Sequence, residues 1–194
     1  MDQNHHRMKR ATHTIPKAEE LIIMVHDPSM TGWGWVVLTP DATILDCGVI
    51  KTETEAKKRR IRKGDDTVRR ISCLNNILIP AIRKHGVNYM ISELPHGSQS
   101  AVAAVMIGIV AGMVQTYADV LEIPIEWYSE GDAKKALLGK LSATKLETIN
   151  AVKKLYTVPW SGIKYRDEAI ADAMAIFHAA LQQSSFLQFY SKHH

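Results

Sequence analysis

Residues 21–34, LIIMVHDPSMTGWG, decide the fold of this chain. The first six form an uncharged run, and they are followed by Asp27 and a turn that contains Gly32 and Gly34. This pattern predicts a buried central strand that ends on a carboxylate. A charge in such a place is costly unless a partner offsets it. Asp27 is therefore the first candidate functional residue.

Two further segments carry acids in similar positions. Residues 87–92 read as a second apolar strand that ends on Glu93, and the last amphipathic segment contains Asp167, Glu168 and Asp172. If the two strands are neighbours, Asp27 and Glu93 lie at one edge of the sheet. Carboxylate oxygens are the ligands that hard divalent cations prefer. The three elements together predict a divalent-metal site of the kind that acts on phosphodiesters.

The charge distribution points to a polyanionic partner. The chain has 194 residues, a net charge of +4 and a pI near 9.0. Its cations crowd residues 57–70 as Lys57, Lys58, Arg59, Arg60, Arg62, Lys63, Arg69 and Arg70. Such a run is either a solvated loop and helix face or a nucleic-acid contact. Beside an acid cluster of the metal-binding type, we expect the nucleic-acid contact.

Composition narrows the remaining classes. A hydrophobic content of 46 % over this length supports one domain with a proper core. Cys47 and Cys73 are not spaced as zinc ligands, which favours a reduced, cytoplasmic protein. The longest apolar stretch, residues 101–113, is too short to cross a membrane. It predicts a buried helix, and we expect no membrane partner.

The order of elements predicts an α/β fold. Strands are expected at about 21–27, 33–38, 43–51, 87–93 and 123–128, and helices at about 67–85, 100–121, 131–138, 143–156 and 166–182. Three antiparallel strands followed by alternating helices and strands predict a five-stranded mixed sheet flanked by helices. Residues 1–19 are expected to be a flexible basic tail, 20–185 the domain, and 186–194 a C-terminal tail.

Five segments in this order resemble the RuvC-type Holliday junction resolvases of the RNase H-like superfamily. They are residues 27–32, the strand that ends at Glu93, residues 108–112, residues 133–145 and residues 171–176. The resemblance covers about residues 21–182 and implies an RNase H-like fold. It also implies that Lys134 and Lys145 are functional lysines.

The resemblance further implies a nuclease dependent on two Mg²⁺ ions, with Mn²⁺ as a substitute. The enzyme is then expected to be a homodimer that cuts branched double-stranded DNA, a four-way junction, by paired symmetric nicks. The resemblance leaves open that this chain is itself a phage or viral member of the family. Two alternatives remain open: a broader endonuclease that cuts forks and flaps, and a non-catalytic DNA-binding module of the same fold.

The chain departs from the family pattern at two positions. The family places its two helix acids three residues apart, but the residue three before Asp172 is Ala169. Glu168 shares a helix face with Asp172 and is expected to be the fourth ligand, with Asp167 as a competitor. The aromatic residue that commonly lies three positions after the strand acid is His96 here, which is expected to contact DNA by stacking on a base.

Overall fold

The computed structural model describes residues 21–193, apart from the side chains of Lys57, Arg59 and His193. The predicted tail 1–19 lies outside the described residues. The strands are β1 (Ile23–Asp27), β2 (Gly32–Leu38), β3 (Ile44–Lys51), β4 (Tyr89–Glu93) and β5 (Ile125–Tyr128). The helices are α1 (Ala56–Arg59), α2 (Lys63–His85), α3 (Ala101–Leu121), α4 (Glu130–Leu138), α5 (Lys145–Leu155), α6 (Lys164–Gln183) and α7 (Ser185–His193).

The five strands form one mixed sheet in the order β3-β2-β1-β4-β5. Strand β1 runs antiparallel to β2 and parallel to β4, with His26 opposite Ser92. Strand β5 continues parallel to β4 and places Tyr128 opposite Glu93. The predicted fold class is therefore confirmed. Because β1 and β4 are adjacent and parallel, their last residues, Asp27 and Glu93, lie at the same sheet edge.

Each face of the sheet is covered by helices, because side chains alternate between the faces along a strand. Ile23 and Val25 point into a core that includes Met174, Ile176 and Phe177 of α6, together with side chains of α4, α5 and α7. Met24 and Met90 point into a second core with Leu74 and Leu78 of α2 and with α3. Phe177 and Leu78 have no exposed surface. Burying each such side chain contributes about 2 kcal/mol of hydrophobic stabilisation.

Two helices begin with capping boxes that fix where their first side chains lie. Ser129 and Asp132 exchange side-chain and backbone hydrogen bonds at the start of α4, and Thr144 and Glu147 do the same for α5. Such reciprocal caps satisfy two backbone donors that the helix leaves unpaired. Glu130 and Lys145 are consequently the first helical residues of α4 and α5.

Helix α7 replaces the predicted C-terminal tail. Leu187 is 2 % exposed and Tyr190 is 3 % exposed, and the ring of Phe186 stacks on Tyr89 at 4.6 Å. Together with the Ser184 hydroxyl, which accepts from the backbone N–H of Leu187, these contacts tie the segment to the domain. The expectation of a tail at 186–194 is wrong because its aromatic residues lie on one helix face.

Helix α3 differs from the buried helix that the apolar stretch predicts. Val110, Val114, Tyr117 and Ala118 are buried against α2 and the sheet. The opposite side, with Val102 66 % exposed and Val105 58 % exposed, faces solvent. Within residues 21–193, α3 is also the one helix whose length and composition would suit a membrane span. The predicted helix is present, but it is buried on one face only, because the other face packs against no element within residues 21–193.

Candidate active site

The ends of β1 and β4 carry two carboxylates that make no side-chain hydrogen bond within residues 21–193. Neither the Asp27 side chain nor the Glu93 side chain makes a hydrogen bond to another residue within 21–193. Burial, followed by the charges of Asp172 and Glu93, raises the pKa of Asp27 well above its usual value. Burial, Glu130 and Asp172 raise the pKa of Glu93 to about 7. The two strand ends therefore hold negative charge that the protein alone does not satisfy.

Helix α6 brings Asp172 to the same place. The helix lies directly on β2, since a Cβ atom added to Gly34 would be 2.5 Å from the Ala169 carbonyl oxygen. Gly34 is paired with Asp27 across the sheet. The absence of a side chain at Gly34 thus lets α6 approach the sheet beside Asp27. Burial raises the pKa of Asp172, although Lys145 opposes that effect.

Lys145 and Lys134 supply the positive charge of the site. Lys145 Nζ donates to Asp172 Oδ2 at 2.5 Å. Burial disfavours the charged form of Lys145, but the pKa of this lysine is still raised because Asp172, and then Asp27, favour the ammonium. Lys134 Nζ lies 2.5 Å from Glu130 Oε1. The structure therefore brings both predicted lysines to the acids.

Glu130 is a site residue that the sequence analysis missed. It follows β5 directly, and its charge acts on Asp27, Glu93 and Asp172. Its own pKa is lowered, chiefly by the hydrogen bond from Lys134 and with a smaller contribution from Lys145. The position of Glu130 could have indicated its role. It lies two residues after Tyr128, the strand partner of Glu93, and is therefore close to the sheet edge. That pairing becomes visible once the strand order is known.

Asp167 and Glu168 lie on α6 but differ in their contacts. The Asp167 carboxylate accepts from the backbone N–H groups of Ser161 at 2.9 Å and Gly162 at 3.1 Å, so it caps the loop before α6. Its role as a competing metal ligand stays a prediction. Glu168 lies one turn before Asp172, with its carboxylate 4.0 Å from Lys164 Nζ. Its role as fourth ligand stays a prediction.

The residues fit a hard divalent cation by their chemistry. The possible ligands are all carboxylate oxygens. Those of Asp27 and Glu93 make no hydrogen bond within residues 21–193, and the Lys145 ammonium lies beside Asp172. Such a donor set suits Mg²⁺ or Mn²⁺. Among the described side chains, no three acids, histidines or cysteines already surround one point.

The basic stretch divides into surface and structural residues. Lys58, Arg60, Arg62 and Lys63 are exposed, and Arg62 pairs with Asp65 at 2.8 Å. The side chains of Lys57 and Arg59 lie outside the described part of the chain. The predicted DNA contacts thus remain open at the exposed positions.

Arg69 and Arg70 are held by the protein itself. Arg70 is 8 % exposed and donates to the Met30 carbonyl at 3.0 Å and to Thr52 Oγ1 at 2.8 Å. The prediction that Arg70 binds DNA is therefore wrong, since its guanidinium fixes the β1–β2 loop. Arg69 donates to Asp66 and to the Glu53 carbonyl. It is half-buried and is engaged in the same way.

A second group of cations lies at the N-terminus of α6. Lys51 Nζ is 5.4 Å from the centre of the Tyr165 ring, and the Arg166 guanidinium is 5.9 Å from it. Lys51 ends β3, next to Gly32 in the sheet, so this group borders the same edge as Asp27. On the other side of the site, His96 is exposed in the loop that follows Glu93. The acids are thus flanked by exposed cationic and aromatic side chains.

Comparisons with known proteins agree with this geometry. A family model described as crossover junction endodeoxyribonuclease RuvC matches residues 23–178. The RuvC of Gluconacetobacter diazotrophicus is 26 % identical over 158 residues, which cover 79 % of this chain and 86 % of that protein. The RuvC of Nitratidesulfovibrio vulgaris is 29 % identical over 116 residues, covering 59 % and 64 %.

Solved structures show the same fold. RuvC of T. thermophilus in complex with a Holliday junction substrate gives a TM-score of 0.62 at 20 % identity, covering 82 % of this chain and 92 % of that chain. The yeast mitochondrial Holliday junction resolvase Ydc2 gives a TM-score of 0.51 at 10 % identity, covering 91 % and 86 %. At these identities the likeness concerns the arrangement of strands and helices.

Proposed function

The chain belongs to the RuvC family of crossover junction endodeoxyribonucleases, and we propose that it resolves four-way DNA junctions by paired, symmetric nicks with two Mg²⁺ ions in each active site. Enzymes of this family are metal-dependent nucleases. One observation carries the proposal for this chain: Asp27, Glu93 and Asp172 come from three separate elements and meet beside Lys145 at one sheet edge.

The site residues have separable parts in the reaction. Asp27, Glu93, Asp172 and a fourth carboxylate hold the cations, which when bound supply Lewis acidity toward the phosphate and favour loss of a proton from water. Lys145 neutralises charge that develops at phosphorus, and Asp172 positions its ammonium through the 2.5 Å bond. Water attacks phosphorus and the bond from phosphorus to O3′ breaks. The nick then carries a 5′-phosphate and a 3′-hydroxyl, which a ligase can rejoin.

The exposed cations supply the affinity for the junction arms. Lys58, Arg60, Arg62 and Lys63 lie on one side, and the group around Tyr165 lies close to the acids. Contacts of this kind are made to phosphates and depend strongly on salt, with little sequence preference. His96 faces the DNA from the loop after Glu93 and stacks on a base at the junction centre.

Paired nicks require two active sites, and the exposed side of α3 suits the contact between two copies. Val102 and Val105 present apolar surface there, and Gly108 and Gly112 leave open space for a close approach. A junction has two-fold symmetry, so a two-fold homodimer presents the same site to two opposed strands. We propose that two copies of α3 cover each other.

The decisive experiment is cleavage of a synthetic mobile four-way junction during a Mg²⁺ titration, with nicks mapped on all four strands. Metal-dependent nicks in symmetric pairs are the expected result, and Asp27→Asn should bind the junction as the parent does without cutting it. Three-way, fork and flap substrates serve as controls. Scattered single nicks, or equal cutting of flaps, would assign the chain to the broader branched-DNA endonucleases. Cutting by Asp27→Asn would contradict the site itself.

A further inference from the structure

Helix α6 lacks an acid at the position three before Asp172, where the family pattern has one. Position 169, where that pattern has a carboxylate, is Ala169, which is 7 % exposed. Its backbone and Cβ lie against Gly34 of β2, so a longer side chain at this position would press on the strand. Asp167 is engaged with Ser161 and Gly162, and Glu168 extends toward Lys164. None of these α6 residues places a carboxylate at position 169, and Glu130 at the start of α4 offers one from another element.

Glu130 is held close to the ends of the catalytic strands. The backbone N–H of Leu94 donates to the Tyr128 carbonyl at 2.8 Å, so β4 and β5 are still paired where Glu93 ends its strand. Ser129 follows Tyr128 and caps α4, so Glu130 is the first residue of that helix. Ala133, one turn on, is buried in the core shared with α6. Packing therefore fixes the first turn of α4 beside the sheet edge.

The charge of Glu130 acts on the same space as the other three acids. It contributes to the raised pKa values of Asp27, Glu93 and Asp172, and for Glu93 it follows burial as the next cause. Its ion pair with Lys134 engages Oε1. A carboxylate has a second oxygen with which it can accept a further partner. Position and charge both direct Glu130 toward the site.

We propose that Glu130 is the fourth metal-binding carboxylate of this chain and takes the place of the acid absent at position 169. The inference rests on the proposed function for the identity of the cation. Lys134 balances the Glu130 charge before the cation binds, in the same way that Lys145 balances Asp172. The chain has thus moved one ligand from α6 to α4 while keeping a site made of four carboxylates.

The test is calorimetric titration of Mn²⁺ into the full chain without DNA, using the parent, Glu130→Gln, Glu168→Gln and Lys134→Met. Glu130→Gln should weaken Mn²⁺ binding at least about tenfold, since even residues that only support metal ligands matter at this level. Glu168→Gln should stay within about twofold of the parent. Lys134→Met should bind no more weakly than the parent, because it breaks the same ion pair but keeps the carboxylate.

Several results would overturn the proposal. They are parent-like binding by Glu130→Gln, a loss confined to Glu168→Gln, an equal loss in Lys134→Met, or no Mn²⁺ binding by the parent. Glu130→Asp, which keeps the charge and the helix start, should retain more affinity than Glu130→Gln if both variants melt at the parent temperature. A parent that binds Mn²⁺ through Glu130 but leaves junctions intact would contradict the proposed function and not this inference. If the parent cuts junctions but Glu130→Gln binds Mn²⁺ as tightly as the parent, this inference is contradicted and the proposed function is not.

Discussion

Replacing Glu93 by glutamine should stabilise the metal-free protein at high pH while it abolishes cleavage. The pKa of Glu93 is about 7 in the folded protein, against an ordinary value of 4.5, because of burial and the neighbouring Glu130 and Asp172. The folded protein therefore holds a proton that the unfolded chain releases as the pH rises from about 4.5 to 7. Stability falls through that interval and stays low above it. Glutamine carries no charge and removes this penalty.

The size of the effect follows from the shift. A difference of about 2.5 pKa units corresponds to about 3 kcal/mol at pH 8, and to less than about 1 kcal/mol at pH 5. Glu93 is half-buried, so solvent screening reduces the gain at pH 8 to about 2 kcal/mol. For a domain of this length, that gain raises the melting temperature by roughly 4–8 °C.

Urea unfolding of the parent and Glu93→Gln, with a chelator present, measures the two free energies at pH 5 and pH 8. Adding Mg²⁺ at pH 8 is the control, since bound cations offset the repulsion in the parent and should narrow the gap. The reasoning is refuted if the variant is no more stable than the parent at pH 8. It is equally refuted if the gain is the same at both pH values, because ionisation of Glu93 would then not be its cause.

Four further substitutions separate structural from catalytic roles. Arg70→Met should lower the free energy of unfolding by about 2–4 kcal/mol in urea, because it removes two buried hydrogen bonds that tie α2 to Met30 and Thr52, without changing the salt dependence of junction binding. Arg62→Met, the exposed counterpart, should leave stability unchanged and reduce the slope of log affinity against log salt by about one in mobility-shift assays. Gly34→Ala should lower both the melting temperature and the cleavage rate, since the added methyl group meets the α6 backbone. Lys145→Met should slow single-turnover cleavage by roughly 10²–10³ while junction affinity is kept, because the positive charge beside Asp172 is lost.

Asp27 and Glu93 could be predicted from sequence because each ends an uncharged strand. Burial makes a charge at such a position costly, so the residue type itself indicates a partner. In the structure β1 and β4 pair in parallel although β2, β3 and α2 lie between them in the chain, and this pairing brings both strand ends to one edge. The acid at each strand end is thus a local feature of the sequence, whereas the convergence of the two acids depends on the pairing of β1 with β4.

Glu130 and Arg70 could not be assigned in this way because their roles depend on packing. Glu130 has no unusual neighbours in sequence, and its place is set by the pairing of β5 with β4. Arg70 belongs to a row with Asp66, Leu74 and Leu78, all buried and four residues apart along α2. That row lies within the helix expected from about residue 67, but Arg70 was assigned to the surface with the basic residues of 57–70 because they were taken as one cluster.

The aromatic face of α7 has a practical consequence for anyone who trims the chain to its family boundary. The match to the family model ends at residue 178, yet Leu187 and Tyr190 are as deeply buried as the sheet itself. A fragment that stops at residue 184 would lack the Phe186 ring that stacks on Tyr89 and would expose apolar surface beside β4. Such a fragment should precipitate at concentrations where the longer version stays clear, although every acid needed for cutting DNA is still present.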